Sequence, residues 1–202
     1  MPEQSSTEPA MQVELAGLLF RAIGPEDAAA EAIVTALIAN GAQRTEGDAD
    51  LLIVFQPVLP MAMPAETPTI LTATEAAAER MAAGKGGRVI FVLSALGALP
   101  MRGHLGYSSA MAAAVAAMRG LAMQLAPKVL VNAVGAGLIE AEHGQLLAGD
   151  RRMLTHTALL RAGTLADLAN AVLFLCDPLN SYTTGQLLTV DGGWSIGYGR
   201  NF

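Results

Sequence analysis

A chain of 202 residues with 52% hydrophobic side chains has the length of one domain and enough apolar surface to fill a core. Its formal charge of -6 and its few stacking rings, three Tyr and one Trp, argue against nucleic acid as a partner. The single cysteine, Cys176, excludes an intramolecular disulfide and paired-thiolate metal sites, so no metal is expected and a reducing cytoplasm is the expected compartment.

Residues 1–12 begin MPEQSSTEPA, polar and acidic rather than basic and then apolar. They predict a disordered tail, not a targeting peptide, ahead of a single domain over 13–202. GLLFRAI at 17–23 predicts a short buried strand, and Gly24 and Pro25 suit the cap and first position of a helix running to about Asn40. Ile33, Leu37 and Ile38 repeat at helical spacing, and Gly41 supplies the stop. DLLIVF at 50–55 predicts the next strand. Pro57, Pro60 and Pro64 hold an extended loop until Thr67 and Pro68 open a helix ending near Gly84. RVIFVLS at 88–94, a helix from about Tyr107 to Leu125, and VLVNAV at 129–134 continue the alternation. Residues 138–160 predict a loop with irregular helix. TLADLANAVLFL at 164–175 predicts a helix with Thr164 and Asp167 as a capping box, and QLLTV at 186–190 a last strand. Alternating strands and helices imply an α/β fold with a doubly wound parallel sheet. No run reaches the roughly 18 to 20 apolar residues of a membrane span, because Arg119, Gln124, Asp167 and Asn170 break the richest stretches.

Four segments, GGRVIFVLSALGALPMRGHLGYSSAM from residue 86, VNAVGAGLIE, LLRAGTLADLANAVLFLCD and TGQLLTVDGGW, closely resemble the short-chain dehydrogenase/reductase family in its own order. They span more than half the chain, and Ser94 and Tyr107 stand thirteen residues apart, the family's catalytic spacing. The resemblance implies a Rossmann-like sheet and hydride transfer between NAD or NADP and an alcohol or carbonyl, in dimers or tetramers.

Several positions depart from that pattern. The family's glycine-rich turn resembles Ile23-Gly24-Pro25-Glu26-Asp27-Ala28-Ala29-Ala30, in which only the first glycine remains. Ala28 and Ala30 add methyl groups, and Glu26 and Asp27 put two carboxylates where a pyrophosphate would sit. The same acids also suit a plain helix start, at about 0.3 to 1 kcal/mol each. From Gly41 the chain reaches the family's fourth strand in fewer than ten residues, whereas a βαβ unit takes about 30. The expected sheet is therefore truncated to about five strands, without the second βαβ unit of its first half or the wall of the adenosine pocket. The family's N-N-A-G segment resembles Val54-Phe55-Gln56-Pro57, and its P-G resembles Ala136-Gly137, with Ala141 at the following threonine. The tetrad asparagine has no counterpart on the helix from Thr67. Met111 occupies the position of the family lysine that lowers the tyrosine pKa. An unaided tyrosine, with a pKa of about 10, is roughly one part in a thousand phenolate at neutral pH. Ser94 and Tyr107 remain either as a working pair or as a hydrogen-bonded relic, with His104 or Arg102 the nearest substitutes for the lysine.

The helix after Tyr107 carries AMAAAVAAM over Ala110–Met118, nine residues without a polar side chain. Such a helix must meet something beyond its own sheet, which agrees with the dimer contact the resemblance implies there and in the segment from Leu173 to Trp194. The expectation is a non-catalytic subunit with no nicotinamide cofactor, forming homo-oligomers or hetero-oligomers with a full-length family paralogue. The alternative is an NAD- or NADP-dependent oxidoreductase with an atypical Ser94–Tyr107 site, or cofactor-free chemistry at that pair. A small-ligand module in the vacated cleft is a third reading.

Overall fold

A computed structural model describes residues 12–58, 66–97, 99, 100, 102–140, 146 and 151–196. Most of the expected tail, together with Pro60, Pro64 and Ala141, lies outside the described residues. The chain runs β1 (Leu19–Ile23), α1 (Ala28–Ala39), β2 (Gln43–Arg44), β3 (Leu51–Phe55), α2 (Thr67–Ala83), β4 (Gly87–Ser94), α3 (Leu105–Leu125), β5 (Val129–Ala136), β6 (Ile139–Glu140), β7 (Gly163–Thr164), α4 (Leu165–Cys176) and β8 (Leu187–Val190). Six parallel strands form one sheet in the order β2-β1-β3-β4-β5-β8, and β6 pairs with β7 apart from it.

Local chemistry sets the element ends. α1 begins at Ala28, later than the sequence suggests, because the Asp27 carboxylate is a better cap than Gly24 and accepts from the Ala30 N–H at 2.9 Å. Gly41, at φ +95, turns the chain out of the helix. α4 opens on the expected capping box, with Thr164 accepting from the Asp167 N–H and Asp167 from the Thr164 N–H. Burial alone would push the Asp167 carboxyl up, but the hydrogen bonds from Thr164 and Arg161, with the Arg161 charge, hold it below its ordinary value.

Helices cover both faces. α1 and α4 pack on one, where Phe20, Ile33, Leu37, Ile53, Leu168 and Val172 are buried. α2 and α3 pack on the other over Leu52, Val54, Phe91, Met111, Val115 and Val131. Each large side chain so buried stabilises the fold by about 1.5 to 3 kcal/mol. α3 turns Tyr107, Met111, Ala114 and Met118 to the sheet and leaves Leu105, Ala112, Ala113, Ala116 and Met123 exposed.

The truncation expected in the first half is present, with one strand more than the five or so expected. A sixth strand exists: β2, two residues long, pairs with the start of β1 through Leu19↔Gln43 and Phe20↔Arg44. Phe20 also pairs with Leu51 of β3. The chain therefore leaves β2 level with the point where β3 begins, and six residues, 45–50, suffice for a passage that ordinarily takes a dozen or more. No helix lies between β2 and β3. Arg44 stands at the end of β2.

Candidate functional site

The carboxyl edge of the sheet carries two connected regions. In the first, β4 ends on Ser94 and the first turn of α3 presents Tyr107, so the expected pair is assembled. The Ser94 side chain hydrogen-bonds the Tyr107 phenol, which donates to the Pro57 carbonyl at 2.5 Å. Tyr107 has no solvent exposure, and Gln56, Val58 and Ser94 are nearly as enclosed. Burial pushes the phenol well above its ordinary pKa; the Ser94 hydrogen bond pulls it down, and the negative Asp27 raises it further. Met111, one turn along α3, is fully buried, so the lysine position is filled by an apolar side chain in the core. Arg102 is exposed, and His104 stands at the α3 cap without making a capping bond.

The residues after β3 were read from the sequence as a lost motif leading into a proline-held loop, and the Pro57 carbonyl there takes the Tyr107 hydrogen bond. The backbone N–H of Gln56 donates to the Val92 carbonyl, which extends the β3–β4 ladder past Phe55. Both polar atoms of the Gln56 side chain, and the Thr67 hydroxyl at the start of α2, are buried without hydrogen-bond partners. Further along the edge, Gly137 donates to the Val190 carbonyl, and a Cβ there would fall 2.5 Å from the Asp191 Cα.

The second region is a cleft of about 500 Å³ over the amino end of α1, lined by Gly24–Ala28, Arg44 and Phe55 among others. Gly24 adopts φ +117, and a Cβ on it would lie 2.0 Å from the Phe55 carbonyl oxygen. Only glycine allows this approach. The Arg44 guanidinium meets Glu26 at 3.2 Å and Glu46 at 3.9 Å, with the Arg44 side chain 44% exposed and both glutamates 82% exposed. Arg44 escaped sequence reading; its signal was the QR pair between the α1 stop and the next apolar run.

These residues fit one end of a dinucleotide. The glycine turn, the helix amino end and an arginine beside it suit phosphates and an adenosine ribose, opposed by Glu26 and by the Asp27 carboxylate on the Ala30 N–H. The nicotinamide end does not fit as it stands, because the phenol is committed to Pro57 and Met111 offers neither charge nor donor.

A sequence profile of the family described as enoyl-(acyl carrier protein) reductase matches residues 61–195. The 3-oxoacyl-(acyl-carrier-protein) reductase FabG of Aquifex aeolicus is 35% identical over 123 residues, 59% of this chain and 50% of that protein. The 7alpha-hydroxysteroid dehydrogenase of Escherichia coli is 36% identical over 113 residues, 54% of this chain and 44% of that one. The chain thus spans about half the length of these curated relatives. Thermoplasma acidophilum aldohexose dehydrogenase superposes with a TM-score of 0.78 at 17% identity, covering 95% of this chain and 99% of that one. A blue fluorescent protein from a metagenomic library, solved in complex with NADPH, superposes at 0.74 and 21% identity, covering 90% of this chain and 99% of that one. The expectation of a chain with no nicotinamide cofactor is corrected by this company: its relatives are reductases and dehydrogenases, and a solved neighbour carries NADPH.

Proposed function

The chain belongs to the short-chain dehydrogenase/reductase family, and from that premise we propose that it is a carbonyl reductase using NADH or NADPH. The observation that carries this reading is the Ser94–Tyr107 pair, hydrogen-bonded at the carboxyl edge of the sheet. The phenol is protonated at neutral pH and so can give a proton to a substrate oxygen, though its burial makes it a weak acid while it stays on the Pro57 carbonyl. The bound dinucleotide would supply the hydride; the chain's own part is binding and the proton. Gly24 and the amino end of α1 would hold the phosphates, and Arg44, released from Glu26, the adenosine ribose or its phosphate. Ser94 would orient the substrate oxygen towards the phenol. Tyr107 must first leave the Pro57 carbonyl to reach a substrate. Fluorescence titration with NADPH and NADH, followed by cofactor consumption with a panel of ketones and 3-oxoacyl thioesters, tests the proposal. Saturable binding with turnover lost in Tyr107→Phe is expected; absence of binding, or full turnover in that variant, refutes it.

The sealed phenol and buried Met111 favour a second reading, in which the chain acts as a subunit with little turnover of its own. It would form homo-oligomers or pair with a full-length paralogue in the cytoplasm. Leu105, Ala112, Ala113, Ala116 and Met123 on α3, with exposed Phe174 and Leu188, offer the apolar contact faces. Native mass measurement after co-expression with such a paralogue is the test, and exclusive homo-oligomers would count against the mixed assembly.

A further inference from the structure

A second cavity, of about 250 Å³, opens at the opposite edge of the sheet, where the passage 45–50 and the end of α2 flank β1 and β3. Along β4 this edge is about 23 Å from Ser94, taking seven strand steps of roughly 3.3 Å each. The cavity exists because β2 is so short. The passage from β2 to β3 contains no helix, so the face of β1 beside α2 is covered at Ile23, which packs in that core, but not at Leu19 and Arg21.

Arg21 occupies the middle of β1, just past the two residues that β2 flanks, on a face where an apolar side chain would ordinarily sit. Its Nε has under 1 Å² of accessible surface and no hydrogen-bond partner. A buried donor in that condition is destabilising unless something else supplies the acceptor. Two carboxylates line the same cavity, yet neither pairs with it: Asp50 accepts from the Leu19 N–H at 2.9 Å, and Asp48 forms no side-chain bond. Arg80 and Lys85 line the cavity from the end of α2 and the turn after it, and their side chains also make no hydrogen bond or ion pair. Three cations without ion pairs, the part-buried Arg21 and the exposed Arg80 and Lys85, thus face one pocket with Asp48 and Asp50, and the wall between them is apolar, formed by Leu52, Ala77 and Met81.

We propose that this cavity is a binding site for a small organic anion, an oxyanion head held by Arg21, Arg80 and Lys85 with a short apolar part against Leu52 and Met81. Phosphate and carboxylate heads share the required chemistry, since either accepts a forked pair of bonds from a guanidinium. The site lies apart from the dinucleotide cleft and does not depend on the proposed reductase activity.

Isothermal titration of the full chain with inorganic phosphate, butyl phosphate, citrate and butyrate, at constant ionic strength set with chloride, tests the proposal. Saturable binding is expected, tighter for the butyl ester than for phosphate alone, and weakened at least tenfold by Arg21→Met, which keeps the packing stem. Arg80→Gln and Lys85→Gln on the surface serve where Arg21→Met does not fold, and each should weaken binding severalfold, whereas Arg161→Gln should not. The ranking of the phosphate and carboxylate probes identifies the head group. Heats that do not saturate, or affinities equal in Arg21→Met, Arg80→Gln and the parent, would overturn it. So would restored hydrogen bonding of Arg21 to Asp48 in solution, detected as equal destabilisation by Arg21→Met and Asp48→Asn with no anion response.

Discussion

The carboxylates at the amino end of α1 permit a quantitative test of dinucleotide binding. Glu26→Gln with Asp27→Asn removes two negative charges and keeps both shapes. A phosphate seated over the helix end would stand about 6 Å from each charge. The Glu26 side chain is 82% exposed, so water screens it, and the repulsion is about 0.7 kcal/mol at a dielectric near 80. Asp27 is only partly exposed and is held at the Ala30 N–H; a dielectric of about 40 gives roughly 1.4 kcal/mol. The sum, about 2 kcal/mol, corresponds to roughly thirtyfold in Kd. Asparagine caps a helix about as well as aspartate, so the fold should lose under about 1 kcal/mol. Fluorescence titration with NADPH at low salt should show the tightening, and raising the salt should shrink it as screening sets in over a Debye length of about 8 Å. Glu26→Gln alone leaves Arg44 only the longer contact with Glu46 and should favour NADPH over NADH. An unchanged Kd in the double variant at low salt, or a gain indifferent to salt, would refute the placement of the phosphates over α1.

Gly24→Ala should destabilise the protein by more than about 2 kcal/mol in urea unfolding, because the new Cβ meets the Phe55 carbonyl at a positive φ; a loss under 0.5 kcal/mol would contradict the geometry. Met111→Lys restores the family residue in a position with no exposure, so it should cost several kcal/mol of stability and should not raise turnover; wild-type stability with faster reduction would show that the core opens there. Burial pushes the Cys176 thiol up to about 12, against the smaller pull of the Arg88 charge. The unfolded thiol ionises near 8.5, so the folded state's advantage is complete below that pH and is lost as pH rises towards 12. Stability curves across that window should flatten in Cys176→Ala, and an unchanged slope would argue against a sealed thiol.

The legible parts of this chain were those in which one local rule acts without competition. The apolar runs of β3, β4 and β5, the Thr164–Asp167 box and the Ser94–Tyr107 interval all stood in the sequence as they stand in the fold. β2 was illegible because two polar, exposed residues have no period to detect, and only pairing with Leu19 and Phe20 makes them a strand. Arg44 went unseen with it. The enclosure of Tyr107 was hidden for another reason: its hydrogen bond runs fifty residues back along the chain to a backbone carbonyl, and no side chain marks that acceptor. Exposure of α3 was readable in outline, since nine consecutive small or apolar residues cannot all face one sheet, but which of them remain outside depended on where α2 packs.

The brevity of β2 links the two cavities. Ending the strand after Arg44 sets its guanidinium at the mouth of the cleft over α1, where Glu26 can reach it, and the helix-free return to β3 leaves Arg21 on an uncovered face at the other edge. Both arginines belong to β1 and its neighbour, and both are held by backbone pairing through Phe20 and its flanking residues. The difference lies in their partners. Arg44 has glutamates at 3.2 and 3.9 Å and can be released by charge competition, whereas Arg21 has none. A dinucleotide phosphate bound in the first cleft would displace an existing ion pair, while an anion in the second cavity would meet cations with no ion pair to break. Binding in the first should accordingly show the steeper dependence on substitution of neighbouring acids, and binding in the second on substitution of the arginine itself.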